Sequence, residues 1–337
     1  RGFDAPMLEA LLKYAKDPSL VQDVVSYLND LKDPQGYEFS RNLKLYSATS
    51  DAFIKFQEKD YTSFRWNVNY QKALKEVKEA FADFNLKVLH YKSDEDMVEY
   101  LPKTDTHSGF LSILTGKVKK GDNMDGMYDR YTKEVKRALK KGSFNKPILV
   151  ANRTQASGEF TDEGEKTNTC KHKTRVVSMI DLIQIFAELQ FYKPFERAFA
   201  DWSEYAGFKD LDDQMLWLTR KAQLSGMEQF MSIDYSSFDQ TISSWLIEDA
   251  FSVVRSAFKK NLSSSDQRLF DIVVHDFIHK DFILADGYVH SDKGVPSGSM
   301  FTQVIDSIVN VIVIKTYFNS LNLKCSTFVM GDDNVVF

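Results

Sequence analysis

The 337 residues, 43% hydrophobic and 27% charged, suffice for two domains or one large multi-layer unit and exclude a disordered chain. Two cysteines, Cys170 and Cys325, exclude a disulfide framework and a cysteine-based zinc site; the most apolar long stretch, 304–318, carries Asp306, Asn310 and Lys315 and so is not a membrane span. The net charge of −5 conceals a division, because residues 106–175 hold 15 Lys or Arg against 8 Asp or Glu, a basic zone on an acidic body that suits local handling of a polyanion.

In chain order, Asp4-Ala-Pro6 and Asp17-Pro18 are cap-plus-proline starts, and Leu20, Val21, Val24, Val25, Leu28 and Leu31 recur at helical spacing. They predict two short helices ended by Asp33-Pro-Gln-Gly36. Leu74, Val77, Phe81 and Phe84 predict an amphipathic helix, and Ser93 before Asp-Glu-Asp caps another short one. Gly-punctuated loops at Thr106–Phe110 and Gly116–Gly121 lead into a helix on which Lys133, Lys136, Arg137, Lys140 and Lys141 share one face and Val135, Ala138 and Leu139 another. That basic face is either a solvated surface or a path for nucleic-acid phosphates. A strand at 146–150 is followed by a polar loop or loose hairpin at 155–168, then by a strand on which Lys171, Lys173 and Arg175 point the same way. Three cations on one face do not help folding; a triphosphate opposite them would justify the arrangement. Residues 181–205 pattern as helix with a break or kink at Pro194, and 212–223 as another.

The chemistry-bearing residues lie beyond. Met231-Ser-Ile-Asp234 is a strand running into a carboxylate, with a second at Asp239 and a helix over 240–258. A helix through 270–278 and a hairpin at Ala285-Asp-Gly287 precede Gly294-Val-Pro-Ser-Gly-Ser-Met-Phe-Thr302. Ser297-Gly298 opens a long apolar helix with a polar stripe at Thr302, Asp306 and Asn310, whose groups need partners if buried. Phe328-Val-Met-Gly-Asp-Asp-Asn-Val-Val-Phe337 reads as strand, tight turn, strand, lifting Asp332 and Asp333 to a hairpin tip, where adjacent carboxylates share either a proton or a cation. His275 and His279 have zinc-like spacing, but the glutamate of a zinc-protease motif is absent.

Asp234 to Asp239, then the Ser297-Gly298 loop and helix, then Met-Gly-Asp-Asp333 stand in the order of a nucleic-acid polymerase palm. The chain resembles the viral RNA-dependent RNA polymerases, most closely those of partitivirus-like double-stranded RNA viruses, with the picobirnavirus-like enzymes as neighbours. Thr106-His-Ser-Gly-Phe110 is similar to the template-contacting finger motif. The resemblance implies an α+β right-hand fold of fingers and palm, an antiparallel palm sheet backed by helices, and a helix-rich N-terminal region. It places an N-terminal extension and the start of the fingers at 1–105, fingers with a basic template and nucleotide channel at 106–228, and palm at 229–337, interleaved with fingers around 260–290.

The implied activity is template-directed RNA synthesis for a double-stranded RNA virus genome. Asp234 and Asp332 would bridge two Mg²⁺ ions about 4 Å apart, with Mn²⁺ as a substitute and Asp333 close by. Arg175 and Lys173 would clamp the nucleotide phosphates, with Lys171 assisting or meeting template phosphate. Asp239 would accept from the ribose 2′-OH, Asn310 would orient Asp239 or donate to the sugar, and Ser297, Gly298 and Thr302 would complete the nucleotide site. Ser108, Gly109, Lys133, Lys136, Arg137 and Lys140 would meet RNA. Expected partners are template and product RNA, nucleoside triphosphates and a capsid protein, in the virion interior or host cytoplasm and away from membrane. The general-acid lysine, primer-grip and thumb motifs that follow in the family do not occur in these residues, so a segment of a longer protein, inactive by itself, is expected. Two other readings stay open: a reverse transcriptase, disfavoured by Asp239 and by the residues around the aspartate turn, and a non-catalytic RNA-binding or assembly protein on a polymerase scaffold.

Overall fold

The structure is a computed structural model that describes residues 54–160, 166–207, 210–225, 230–284 and 287–337; the side chains of 152–175 and the helices expected before Asp33 lie outside the described residues. Its elements are α1 (Ile54–Gln57), α2 (Val68–Glu79), α3 (Asp94–Tyr100), α4 (Leu111–Thr115), α5 (Met127–Lys141), β1 (Ile148–Phe160), β2 (Lys166–Met179), α6 (Leu182–Ala200), α7 (Leu211–Ser225), α8 (Phe238–Thr241), α9 (Ser244–Ser256), α10 (Ser264–Ile278), β3 (Lys280–Leu284), β4 (Gly287–Ser291), α11 (Thr302–Ser320), β5 (Thr327–Met330) and β6 (Asp333–Val336).

Two helices are interior because apolar residues surround them. On α11, Val304, Ile305, Ile308, Val309, Val311, Ile312 and Ile314 are all buried, and on α6 so are Leu182 through Tyr192. The abundant phenylalanines fill the space between helices: Phe81 packs on Phe195 and Trp202, and Phe251 meets Phe270, Phe277 and Phe301 edge-on. Lys315, on α11, reaches Glu76 of α2 at 2.6 Å and Glu204 at 3.5 Å, a buried charge with two partners.

Two sheets position the polar loops. One has the order β2-β1-β3-β4, in which the β1–β2 hairpin is antiparallel and β1 pairs parallel with β3 over Ile148–Leu149. The β3–β4 hairpin, between α10 and the loop that precedes α11, thus joins the strand that leads to the basic β2. The second is the β5–β6 hairpin. Glu204–Ala206 flanks β5 and Met231 flanks β6, widening that hairpin on both edges.

Several expected elements differ. The long helix expected to open at Ser297-Gly298 begins at Thr302, because Ser297 is held to the end of β2 in the preceding loop. The α6 helix continues through Pro194, because the Gln190 carbonyl that the proline leaves without an N–H accepts from Leu89 instead, at 2.9 Å. The helix expected over 240–258 is split into α8 and α9, since Asp60 accepts from the Ser244 N–H and hydroxyl at 3.0 and 2.7 Å and so caps a fresh start. Met231–Asp234 forms a bridge at Met231 rather than a full strand. Beyond that bridge an asparagine side chain replaces the backbone ladder. Among the described residues no helix is long and apolar enough to cross a membrane.

Candidate active site

The β5–β6 turn consists of Gly331 and Asp332, with Met330 paired to Asp333. Gly331 has φ +68°, a left-handed conformation that favours residues without a Cβ, so the glycine before the aspartates is a backbone requirement. Gly331→Ala is expected to lower the unfolding free energy by about 1–2 kcal/mol in a denaturant melt, from left-handed strain alone. An unchanged midpoint would mean that the turn adopts another conformation.

Side chains of α11 grip this turn from below. Ser307 Oγ accepts from the Gly331 N–H at 2.8 Å, and Asn310 Nδ2 donates to the Gly331 and Asp332 carbonyls at 2.9 and 3.1 Å. Asn310 Oδ1 accepts from the Tyr235 hydroxyl at 3.1 Å. On the other side, Asn334 Oδ1 accepts from the Ile233 N–H at 2.9 Å, while its Nδ2 donates to the Ile233 carbonyl at 2.8 Å and the Asp332 carbonyl at 3.1 Å. One carboxamide therefore ties the residue before Asp234 to the backbone of Asp332, across about a hundred residues of chain. Asp234, Asp332 and Asp333 are all exposed at this edge.

Beneath them lies a carboxyl that the residue pattern placed on the polar stripe and gave no role. Asp306 is buried, its Oδ1 has no hydrogen-bond partner among the described residues, and burial, then Asp239, then Asp332 hold its carboxyl well above the usual range. Asp239 is half-buried, and its carbonyl accepts from the Val295 N–H at 2.6 Å. Acidic groups from three stretches of chain, 234–239, 306 and 332–333, thus share one region, where they repel each other and suit a hard cation. Among the described residues no three such side chains already converge as a ready ligand set. By charge and donor type the carboxylates fit a divalent ion.

The Gly294–Phe301 loop packs against the end of β2. Ser297 Oγ accepts from the Ser178 N–H at 3.0 Å and donates to the Val176 carbonyl at 3.4 Å. This brings the backbone beside Arg175 to the loop; the side chains of Lys171, Lys173 and Arg175 lie outside the described residues. Gly298 is there because a Cβ would sit 1.9 Å from the Ser178 carbonyl oxygen. Thr302 Oγ1 donates to the Pro296 and Ser299 carbonyls at 2.8 and 2.9 Å.

Several residues expected to face substrate instead hold protein. Asn310 is fully buried and its amide is engaged by the turn, so it does not orient Asp239. Ser108 is fully buried, its hydroxyl bonded to the Lys117 carbonyl, and a Cβ on Gly109 would meet the Ile180 carbonyl oxygen at 2.2 Å. Both positions anchor the 106–110 loop against Lys117 and Ile180. Lys133, Lys136, Arg137 and Lys140 do line one shallow groove on α5, with Arg137 also paired to Glu134. His275 and His279 lie at the end of α10 with rings 4.7 Å apart, and their Nδ1 atoms face Asp276 and Asp292.

Asn334, Ser307, Tyr235 and Asp306 work in this site without a role assigned by the residue pattern. Only Asp306 and Asn334 carried a signal, the first as a carboxylate in an apolar helix, the second as a polar residue at a buried strand position.

A strand–turn–strand bearing paired aspartates, a helix gripping that turn and a third aspartate tied to it through Asn334 form one acidic edge of a mixed helix-and-sheet fold. The sequence profile of the viral RNA-dependent RNA polymerases matches residues 4–337, and the chain belongs to that family. It is 39% identical over 112 residues to the RNA-directed RNA polymerase of Cryptosporidium parvum virus 1 (strain KSU-1), a match spanning 32% of this chain and 21% of that relative.

Proposed function

We propose that the protein extends an RNA 3′ end on an RNA template, transferring nucleotides from nucleoside triphosphates, and that Asp234, Asp332 and Asp333 hold the divalent ions for this reaction. The observation that carries this reading is the Asn334 carboxamide, which joins the chain beside Asp234 to the Asp332 turn above the buried Asp306. When bound, two Mg²⁺ ions supply Lewis-acid stabilisation of the charge that grows on the attacking, bridging and leaving oxygens. The rest falls to the chain. Asp234 and Asp332 bind and orient, with Asp333 beside them; Arg175 and Lys173 on β2 receive the triphosphate, and Lys171 follows toward template phosphate. Ser297 and Gly298 fix the loop against the strand that carries these cations, so loop and cations keep one register. Asp239 accepts from the ribose 2′-OH, with Asp306 rather than Asn310 behind it.

The groove of Lys133, Lys136, Arg137 and Lys140 serves as a path for RNA phosphates. Template, product strand and nucleoside triphosphates are the partners this reading requires. Capsid binding and residence inside the particle extend it, and co-purification of the protein with intact particles tests them.

The decisive experiment is primer extension by the full-length protein with ribo- and deoxyribonucleotides in parallel. Ribonucleotide incorporation on an RNA template supports the reading; preference for deoxyribonucleotides would make the protein a reverse transcriptase, and absence of synthesis would leave a binding role. Within that assay, Asp239→Ala is expected to lower sugar discrimination by about tenfold or more while slowing ribonucleotide addition less, since a site built for a hydroxyl penalises its absence. Equal losses with both sugars would remove Asp239 from that role.

A further inference from the structure

Two buried charges of opposite sign hold the two ends of the loop that carries Ser297 and Gly298. At its entrance, Lys280 Nζ, 3% exposed, lies 2.8 Å from both the Lys293 and Gly294 carbonyls and 3.0 Å from those of Phe277 and Ile278. At its exit, Glu188 Oε2, buried within α6, accepts from the Ser299 hydroxyl at 2.8 Å and the Met300 N–H at 2.7 Å. The chemistry is matched to the backbone: a cation collects carbonyls and an anion collects N–H and O–H donors. Between these anchors the loop makes its close approach to β2.

A buried charge is costly unless paired, and neither residue has an ion-pair partner at contact distance among the described salt bridges. Lys120, half-buried, faces Glu188 at longer range, and Asp292 does the same for Lys280. Burial pushes the Glu188 carboxyl up to about 7 and draws the Lys280 ammonium down to about 7. Four converging carbonyls oppose the second shift, because only a protonated amine offers three N–H donors. An apolar residue at either position would fill the space without this cost, so the charges point to a requirement on the loop.

We propose that Glu188 and Lys280 are positioning residues for RNA synthesis, setting the 294–300 loop from its two ends so that Ser297 and Gly298 stay against β2. The proposal rests on the polymerase reading for its kinetic consequence, whereas its structural part is independent of activity. Hydrogen exchange of the full-length protein separates them.

Glu188→Ala is expected to speed exchange of the amides from 297 to 302 by about tenfold while α6 and the β5–β6 hairpin keep their protection. It should also lower kcat/KM for nucleotide addition by about tenfold. Glu188→Gln, which keeps an acceptor of the same reach, should recover both to within about threefold. Ser299→Ala, which removes one donor and leaves the carboxylate its Met300 N–H, is the milder variant if Glu188→Ala does not fold, and should raise exchange over the same residues. Lys280→Arg should retain, and Lys280→Met lose, protection at 293–295. Unchanged loop exchange in Glu188→Ala or Ser299→Ala would overturn the proposal. So would faster exchange throughout the protein with normal kcat/KM per folded molecule, the signature of a purely structural role. Loop loosening in a protein that makes no RNA would instead refute the polymerase reading and leave the anchoring intact.

Discussion

Asp332→Asn is expected to abolish RNA synthesis, by on the order of 10³-fold, without harming the fold. The two halves of that expectation come from different atoms of one residue. The Asp332 backbone carbonyl is held by Asn310 and Asn334, and neither bond involves the carboxylate. The side chain is exposed, so asparagine fits without repacking. Removing its charge also relieves the repulsion that Asp332 exerts on the buried Asp306 carboxyl. The thermal midpoint should therefore stay level or rise. The loss falls on cation binding, since a neutral amide cannot replace a carboxylate as a charge-matched ligand for a hard ion. Single-turnover primer extension beside a thermal melt checks both halves. Synthesis within tenfold of the parent would show that Asp332 is not a metal ligand, and a collapsed melting point would show that its carboxylate supports the fold.

What the residue pattern makes legible is local. Gly331 and its aspartates mark a hairpin turn because only neighbouring residues decide it, and the α2, α3, α5 and α10 helices follow from spacing and caps. Roles set by distant contacts are not legible. Asn310 and Asp306 sit one turn apart on the same stripe, and nothing in their spacing says that the amide serves the turn while the carboxyl faces Asp239. Pro194 reads as a helix breaker until Leu89, from another part of the chain, supplies an N–H to the freed carbonyl. Asn334 reads as a strand residue until its side chain takes both backbone groups of Ile233. Glu188 lies in an apolar helix, where its position gives no hint that the ends of two loop residues await it. In each case the deciding partner lies too far along the chain for a residue pattern to contain it.

Gly298→Ala should cost about 10²-fold in kcat/KM, the penalty for moving catalytic groups by about 1 Å. Gly298 does not have the left-handed backbone of Gly331, so conformational strain is not the cause. Contact is. The added carbon would lie 1.9 Å from the Ser178 carbonyl oxygen and 3.0 Å from its carbon. Those are backbone atoms next to the end of β2, fixed by pairing of Ser178 with Val150 on β1, and they cannot swing aside as a flexible side chain would. The loop has to give way, and with it the Ser297 hydroxyl leaves the Ser178 N–H and Val176 carbonyl it now joins. Overpacking of this kind lowers stability by about 1–3 kcal/mol, well short of unfolding a chain with so extensive a core. The signature is thus a folded protein whose hydrogen exchange quickens at 176–180 and 296–299 together, because strand end and loop separate as a pair. If exchange rises in the loop alone, β2 does not depend on Ser297 for its position. If nucleotide addition stays within threefold of the parent, the close approach of loop to strand is dispensable for synthesis.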